Sequence, residues 1–296
     1  MPSKVPDTYF HAQGLHIGGG MGNFFVYIPV RHIAADDSYL NTFLDKNIHP
    51  ELALDAISLD HLDLEWHQRL SASLQSAGIT CGVHLPYHDL QPGSLDDLIL
   101  DATRQRLQKA MEIARVYSPR YLVAHAYFIP LYNDLFSKWL NRAVMTWNET
   151  LSAWPGHPVL FLENVRENDP RPLSDLLCEL SGDNRVRSCL DLGHWSSYGG
   201  GGQYQNLSKW MQTLAPYLGH LHLHDNDGVA DKHWGLGQGV IPWQELFFGL
   251  ELLELTPSFT LETHTRESFG QSCAFIREHL EWFTRLGIDP EKIPDI

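Results

Sequence analysis

The run from His220 to His233, HLHLHDNDGVADKH, carries four histidines and three aspartates and opens as an alternation of leucine with histidine. With Gly219 in front and Asp225 as its end, GHLHLHD reads as a β-strand, because period two puts its leucines on one face and its histidines on the other. His220, His222 and His224 thus share one face, and alternation alone does not say which of them do chemistry.

The same design recurs along the chain. Short runs rich in β-branched or aromatic residues alternate with longer amphipathic stretches, as expected of βα units around a parallel sheet. Eight candidate strands are FFVYIP (24–29), LALDAIS (52–58), ITCGVHL (79–85), RYLVAHA (120–126), VLFLENV (159–165), VRSCLDL (186–192), GHLHLHD (219–225) and SFTLETH (258–264). The long stretch LDDLILDATRQRLQKAMEIARVY (95–117) has Leu95, Leu98, Ile99, Ala102, Leu107, Ala110, Met111 and Ala114 at helical spacing, with Ser94 as its expected N-cap. WHQRLSASLQSAG and SCAFIREHLEWFTRLG both stop at a glycine, Gly78 and Gly287.

A length of 296 residues suits either two average domains or one α/β barrel. No linker or composition shift divides the chain, so the pattern predicts an α/β protein with a single (β/α)8 TIM-barrel domain over 1–296. The segment FHAQGLHIGGGMGN (10–23) fits the rhythm badly, so 1–23 reads as an N-terminal extension, or as an extra strand or even the first barrel strand.

Bulk properties narrow the function. There is no apolar run of about 18 residues and no apolar signal region at the start, which predicts a cytoplasmic protein without a membrane partner. The thiols Cys81, Cys178, Cys189 and Cys273 form no CxxC pair and are expected reduced in the core. With 36 acids against 21 bases and a net charge of -15, the chain is poorly suited to gripping duplex DNA. A basic patch at Arg166 and Arg171 is the exception, and a small-molecule substrate is expected instead. Part of the acidity is expected to be ligand carboxylate, to be neutralised by bound cations.

In a barrel of this kind the active site lies at the C-terminal ends of the strands. Those ends carry His84, His125, Glu163, Asp191 with His194, His222 with His224, and Glu262; the loop after the seventh strand adds Asp231 and His233. One such residue is usually structural. So many converging would be very costly to desolvate unless a cation compensates them. Nitrogen mixed with oxygen donors suits Zn, Mn, Fe or Co better than Ca, and the lack of thiolate speaks against a purely structural zinc site. Candidate substrate contacts are Tyr87, Arg166, His224 and Trp195, the last opening the loop WSSYGGGGQYQ (195–205). His61, His67, His157, Trp139, Trp147 and Trp154 are read as packing or surface residues.

From about residue 24 onward these motifs resemble the xylose isomerase-like TIM-barrel superfamily, in particular its endonuclease IV type (AP endonuclease family 2) branch. The resemblance rests on His84 in VHLPYHD, His125 in LVAHAYF, Glu163 in FLENV, Asp191 and His194 in CLDLGHW, and Glu262 in TLETH. It extends to His222, Asp225, Asp231 and His233 before GLGQG. It implies up to three divalent ions, zinc first. Glu163 would bridge two, one held by His84 and His125, the other by Asp191, His222 and Glu262, with His194, Asp231 and His233 around a third. The superfamily's sugar isomerases and epimerases typically use one ion, at the equivalents of Glu163, Asp191, His222 and Glu262.

The implied activity is a metal-dependent phosphoester hydrolase with Glu163, Glu262 and Asp191 as catalytic candidates. Its substrate would be a small or nucleotide-containing phosphodiester; similarity to cobamide-remodelling phosphodiesterases appears in FFVYIP, VHLP, SPRYLVAH, LEN and CLDLGH. The alternative is a mononuclear sugar or sugar phosphate isomerase or epimerase, with Glu163 and Glu262 as its proton-moving pair. A non-catalytic ligand-binding barrel is a third.

Within the opening run, His220 is expected deep in the barrel, His222 at the ligand position, and His224 at the rim as a substrate contact or as support for a neighbour. Asp225 is expected to orient a neighbour and Asp227 to make the turn before Gly228.

Overall fold

Every outward-facing leucine of the GHLHLHD strand needs a helix to cover it, and every inward residue must share a narrow interior; closing the sheet on itself meets both demands. In the computed structural model, which describes residues 24–294, the strands are β1 (Phe24–Pro29), β2 (Pro50–Ala53), β3 (Gly82–His84), β4 (Tyr121–His125), β5 (Val159–Glu163), β6 (Val186–Asp191), β7 (Leu218–Leu223) and β8 (Ser258–Leu261). All pair in parallel in chain order, and β8 closes on β1. The protein is a (β/α)8 TIM barrel, as expected. The segment 10–23 and the question of an extra strand lie outside the described residues.

Two local expectations are corrected. The run LALDAIS is not one strand: β2 ends at Ala53, and Asp55 caps the next helix, Ala56–His61, by accepting from Ser58 N while Ser58 returns a bond to its backbone. That reciprocal cap outweighs the apolar character of the run. The helix Asp97–Tyr117 is capped not by Ser94 but by Asp96, whose carboxylate accepts from the amides of Leu98 and Ile99. Leu98 and Ile99 are consequently exposed, and the buried stripe runs through Leu100, Thr103, Leu107, Ala110, Met111 and Ala114. The glycine stops hold, with Gly78 at φ +73° and Gly287 at +82°.

The main core lies between strands and helices and includes Leu52, Leu122, Leu160, Leu190 and Leu221, with Trp139 and Trp147 fully buried in it. Inside the barrel, Phe25, Tyr121, Val123, Phe161 and Cys189 form a second apolar layer that floors the mouth. Cys81, Cys189 and Cys273 are buried, but Cys178 is exposed on a helix, contrary to the expectation of core thiols. Among the described residues no helix is long and apolar enough to cross a membrane.

Candidate metal centre

Alternation in β5 turns Glu163 inward above Phe161, and in β7 it turns His222 inward above His220; both sit where the strands end. The ends of β5 and β6 are locked together by Asn164, which donates to Asp191 O and accepts from Asp191 N. Asp191 then caps the short helix Leu192–Ser197, which delivers His194 to the same mouth.

These side chains meet in compact groups. His84, His125 and Glu163 form one, and Glu163, Asp191, His222 and Glu262 another, with the donor atoms of each within 4.8 Å of one another. Glu163 Oε2 lies 3.1 Å from His84 Nε2 and 3.5 Å from His125 Nε2, while His222 Nδ1 lies 2.8 Å from Glu262 Oε2. The remaining residues gather on Asp231, whose Oδ2 is 3.3 Å from His194 Nε2 and 3.1 Å from His233 Nε2. A competing set on this side, His224, His233 and Glu262, is equally compact.

The loop that carries Asp231 and His233 is built on Asp225. Its backbone pairs with Trp234 in both directions, and its carboxylate accepts from Gly237 N, Ile241 N and the Trp243 indole. Asp227 accepts from Val229 N and Ala230 N and makes the expected turn. His233 adopts a left-handed φ of +52° and stacks between His224 at 3.9 Å and His264 at 3.7 Å.

The donor set fits divalent cations on its own atoms. His125 Nδ1 and Asp231 Oδ1 are buried without a hydrogen-bond partner, and Glu163 Oε1, His222 Nδ1 and Glu262 Oε2 have only ion-pair contacts outside hydrogen-bond geometry, an arrangement that a cation would relieve. Several imidazoles are already oriented as ligands: Nδ1 of His84 is 2.8 Å from Leu85 O, that of His194 3.0 Å from Asn164 O and that of His233 2.7 Å from Glu262 O. A ring nitrogen that donates to a carbonyl leaves the other free for a metal.

The electrostatics describe the same need. Burial would lower the basicity of His194 and His222, but Asp191, Asp231 and Glu163 around the first, and Cys189, Glu51, Glu163 and Glu262 around the second, raise both well above the ordinary imidazole value. His233, buried yet bonded to Asp231, is raised to about 9, whereas burial takes His125 down to about 3. Glu163 and Asp191 are held below their ordinary range by these neighbours despite desolvation. The buried carboxylates thus favour positive charge at the mouth, the role that metal ions would fill.

Two expected substrate contacts are corrected. Trp195 is 1% exposed and its indole donates to Asn206 Oδ1, so it packs beneath its loop and cannot meet a ligand. His224 is fully buried with Nε2 3.1 Å from Asp191 Oδ2, so of its two expected roles the supporting one remains. Tyr87 does line the mouth, stacked on His125 with its hydroxyl 3.3 Å from that of Tyr27. Arg166 is exposed at the rim, its guanidinium over Tyr198. Arg171 is paired with Asp169, which also takes Lys209, so no free basic patch forms there. Beside the mouth a cavity of about 500 Å³ is walled by Tyr27, Tyr87, Thr263, His264 and Arg266.

Sequence reasoning missed Tyr27, His264 and above all Glu51. The strand assignment began one residue after Glu51, and so hid its place in the alternation. Glu51, His84 and His222 form a further compact set, as do Cys189, His220 and His222; burial keeps the Cys189 thiol protonated, so the latter lacks a thiolate.

A parallel eightfold barrel with clustered imidazole and carboxylate donors at its mouth defines the class of TIM barrels whose mouth could hold metal ions. Within it, the family model for xylose isomerase-like TIM barrels matches residues 47–286, and the chain belongs to that family. The uncharacterised protein MJ1311 of Methanocaldococcus jannaschii is 24% identical over 72% of this chain and 74% of its own. A D-tagatose 3-epimerase-like protein shares the fold with a TM-score of 0.71 at 21% identity, covering 89% of this chain and 98% of its own. The TTHB071 protein of Thermus thermophilus, soaked with ZnCl2, gives 0.66 at 22% identity over 86% and 97%. L-ribulose 3-epimerase gives 0.65 at 15% over 88% and 96%. At 22% identity or less these structures show a shared fold, and none of their names is that of a phosphoester hydrolase.

Proposed function

We propose that the protein is a metal-dependent hydrolase of a small-molecule phosphodiester, holding two or three divalent ions, with zinc first and Mn, Fe or Co also suited to the donors. The observation that carries this reading is the sharing of Glu163 between two donor groups, with Asp231, His194 and His233 clustered beside them. Proton transfer between sugar carbons needs only one of these groups. Divalent ions at such a site supply Lewis acidity, acidifying water and neutralising charge on the phosphoryl oxygens and the leaving oxygen.

His84, His125 and Glu163 would hold one ion, and Asp191, His222 and Glu262 a second with Glu163. The chain's remaining groups bind and orient. Arg166 at the rim offers a fixed charge to a phosphate, the Tyr27 and Tyr87 hydroxyls give polar contacts at the mouth, and the adjoining cavity has room for the substrate's non-reacting part.

A second reading is epimerisation or isomerisation of a sugar or sugar phosphate, supported by the names of the structural neighbours and by the pair of glutamates, Glu163 and Glu262, that both face His222 Nδ1. At 22% identity or less those neighbours share the fold, and the larger donor set is what favours hydrolysis. A screen of zinc- or manganese-supplemented protein against bis(p-nitrophenyl) phosphate, corrinoid phosphodiesters, ketoses and sugar phosphates tests the choice. Hydrolysis is expected; conversion of a ketose without any phosphodiester cleavage would replace the proposal with the second reading.

A further inference from the structure

Glu51 is a fully buried carboxylate that neither of the two donor groups sharing Glu163 requires. It points from β2 into the barrel beneath the mouth, where its Oε2 accepts from the Tyr121 hydroxyl and from Thr260 Oγ1, each at 2.8 Å. The same oxygen lies 3.4 Å from His220 Nε2, and His220 is fixed in turn, with Nδ1 2.7 Å from Ser258 Oγ and Nε2 2.9 Å from Thr260 Oγ1. Three neighbours therefore hold one oxygen. The other, Oε1, has no hydrogen-bond partner and faces His222 Nε2 at 3.2 Å, a nitrogen that also lacks any other partner.

The contrast with the other imidazoles gives this contact its meaning. His84 and His233 are backed by neutral backbone carbonyls, whereas His194 Nδ1 is shared between Asn164 O and Glu163 Oε1, each at 3.0 Å. His222 instead has a carboxylate behind it, while its Nδ1 faces Glu262, Glu163 and Asp191 at 2.8, 3.6 and 3.7 Å. An anionic partner fixes the tautomer and raises the basicity of the ligating nitrogen more than a carbonyl does.

We propose that Glu51 is a positioning residue for the ion held by Glu163, Asp191, His222 and Glu262, fixing His222 with its proton on Nε2 and its Nδ1 toward the ion. This rests on the metal-centre part of the functional reading and is independent of whether the reaction is hydrolysis or epimerisation. The barrel's polar layer of buried Tyr121, His220 and Thr260, with half-buried Ser258 at its edge, is then the mount for Glu51, and carries its orientation to the mouth.

The test is a zinc titration of metal-free wild type and Glu51→Gln against a chromophoric chelator, with circular dichroism of both to establish folding. The expected result is an unchanged number of ions with one association constant weakened roughly 10- to 100-fold. Equal constants in the two proteins would overturn the proposal, and so would loss of a whole ion, which would make Glu51 a ligand itself. A second measurement needs no variant: long-range proton–nitrogen spectra of zinc-loaded wild type with ¹⁵N-labelled histidine. His222 is expected protonated at Nε2, and a proton on Nδ1 would overturn the proposal. A wild type that takes up no zinc would remove the metal centre altogether, whereas equal titrations would remove only the role of Glu51.

Discussion

Gly193 lies so close beneath His224 that a β-carbon on it would stand 1.8 Å from the imidazole Cε1. His224 in turn has Nε2 against Asp191 and its face against His233. The glycine in CLDLGHW is thus a spacing requirement of the site. Gly193→Ala is expected to displace His224, to cost about 1–3 kcal/mol of stability as an overpacked core does, and to lower turnover at least tenfold. Thermal melts and turnover on the substrate that the screen identifies check this; wild-type turnover would contradict the supporting role of His224.

The Asp231 group separates the two functional readings. Asp231→Ala combined with His233→Ala is expected to remove one ion and to reduce phosphodiester hydrolysis by roughly 100-fold or more, the scale of losing a transition-state contact of about 3 kcal/mol. The ion at Glu163, Asp191, His222 and Glu262 should stay. Metal analysis beside the kinetics decides, and full hydrolytic activity in the double variant would exclude a third ion from the reaction.

Removing metal should destabilise the fold. Ions bound only by the native state contribute about 4 kcal/mol at a free concentration 1,000 times Kd, equivalent to roughly 5–15 °C in Tm for a chain of this size. Melting with and without a chelator tests it; identical curves would mean the orphaned donors hold nothing.

Glu167 gives a pH signature separate from the metal ligands. Its carboxylate accepts from Val165 N and Phe128 N, but burial dominates and raises it to about 7. A carboxyl raised by folding is held protonated by the native state. Its contribution is complete below the ordinary value of 4.5 and is lost as pH rises through 7. Urea unfolding of metal-free wild type and Glu167→Gln should show the wild type losing up to about 3 kcal/mol relative to the variant between pH 5 and 8. Parallel curves would contradict the raised value.

Strand alternation and strand ends made the barrel legible, and they also drew attention to the nine candidate ligands, which the fold brings to one mouth. Three things stayed hidden for physical reasons. Asp96 took the cap from Ser94 because two capping residues two positions apart look alike until the helix axis is set. Trp195 looked like a ligand platform because an aromatic beside glycines carries no mark of which way it faces. Glu51 was lost because β2 is short and its neighbour Asp55 starts a helix, so the alternation that would have exposed an inward acid spans only four residues.

The central claim is that these donors hold more than one ion. Native mass spectrometry of protein purified without chelator, loaded with zinc and exchanged into metal-free buffer, counts them directly. Two or three tightly held ions per chain are expected; a single ion would contradict the shared role of Glu163 and leave the epimerase reading, and none would contradict the metal centre itself.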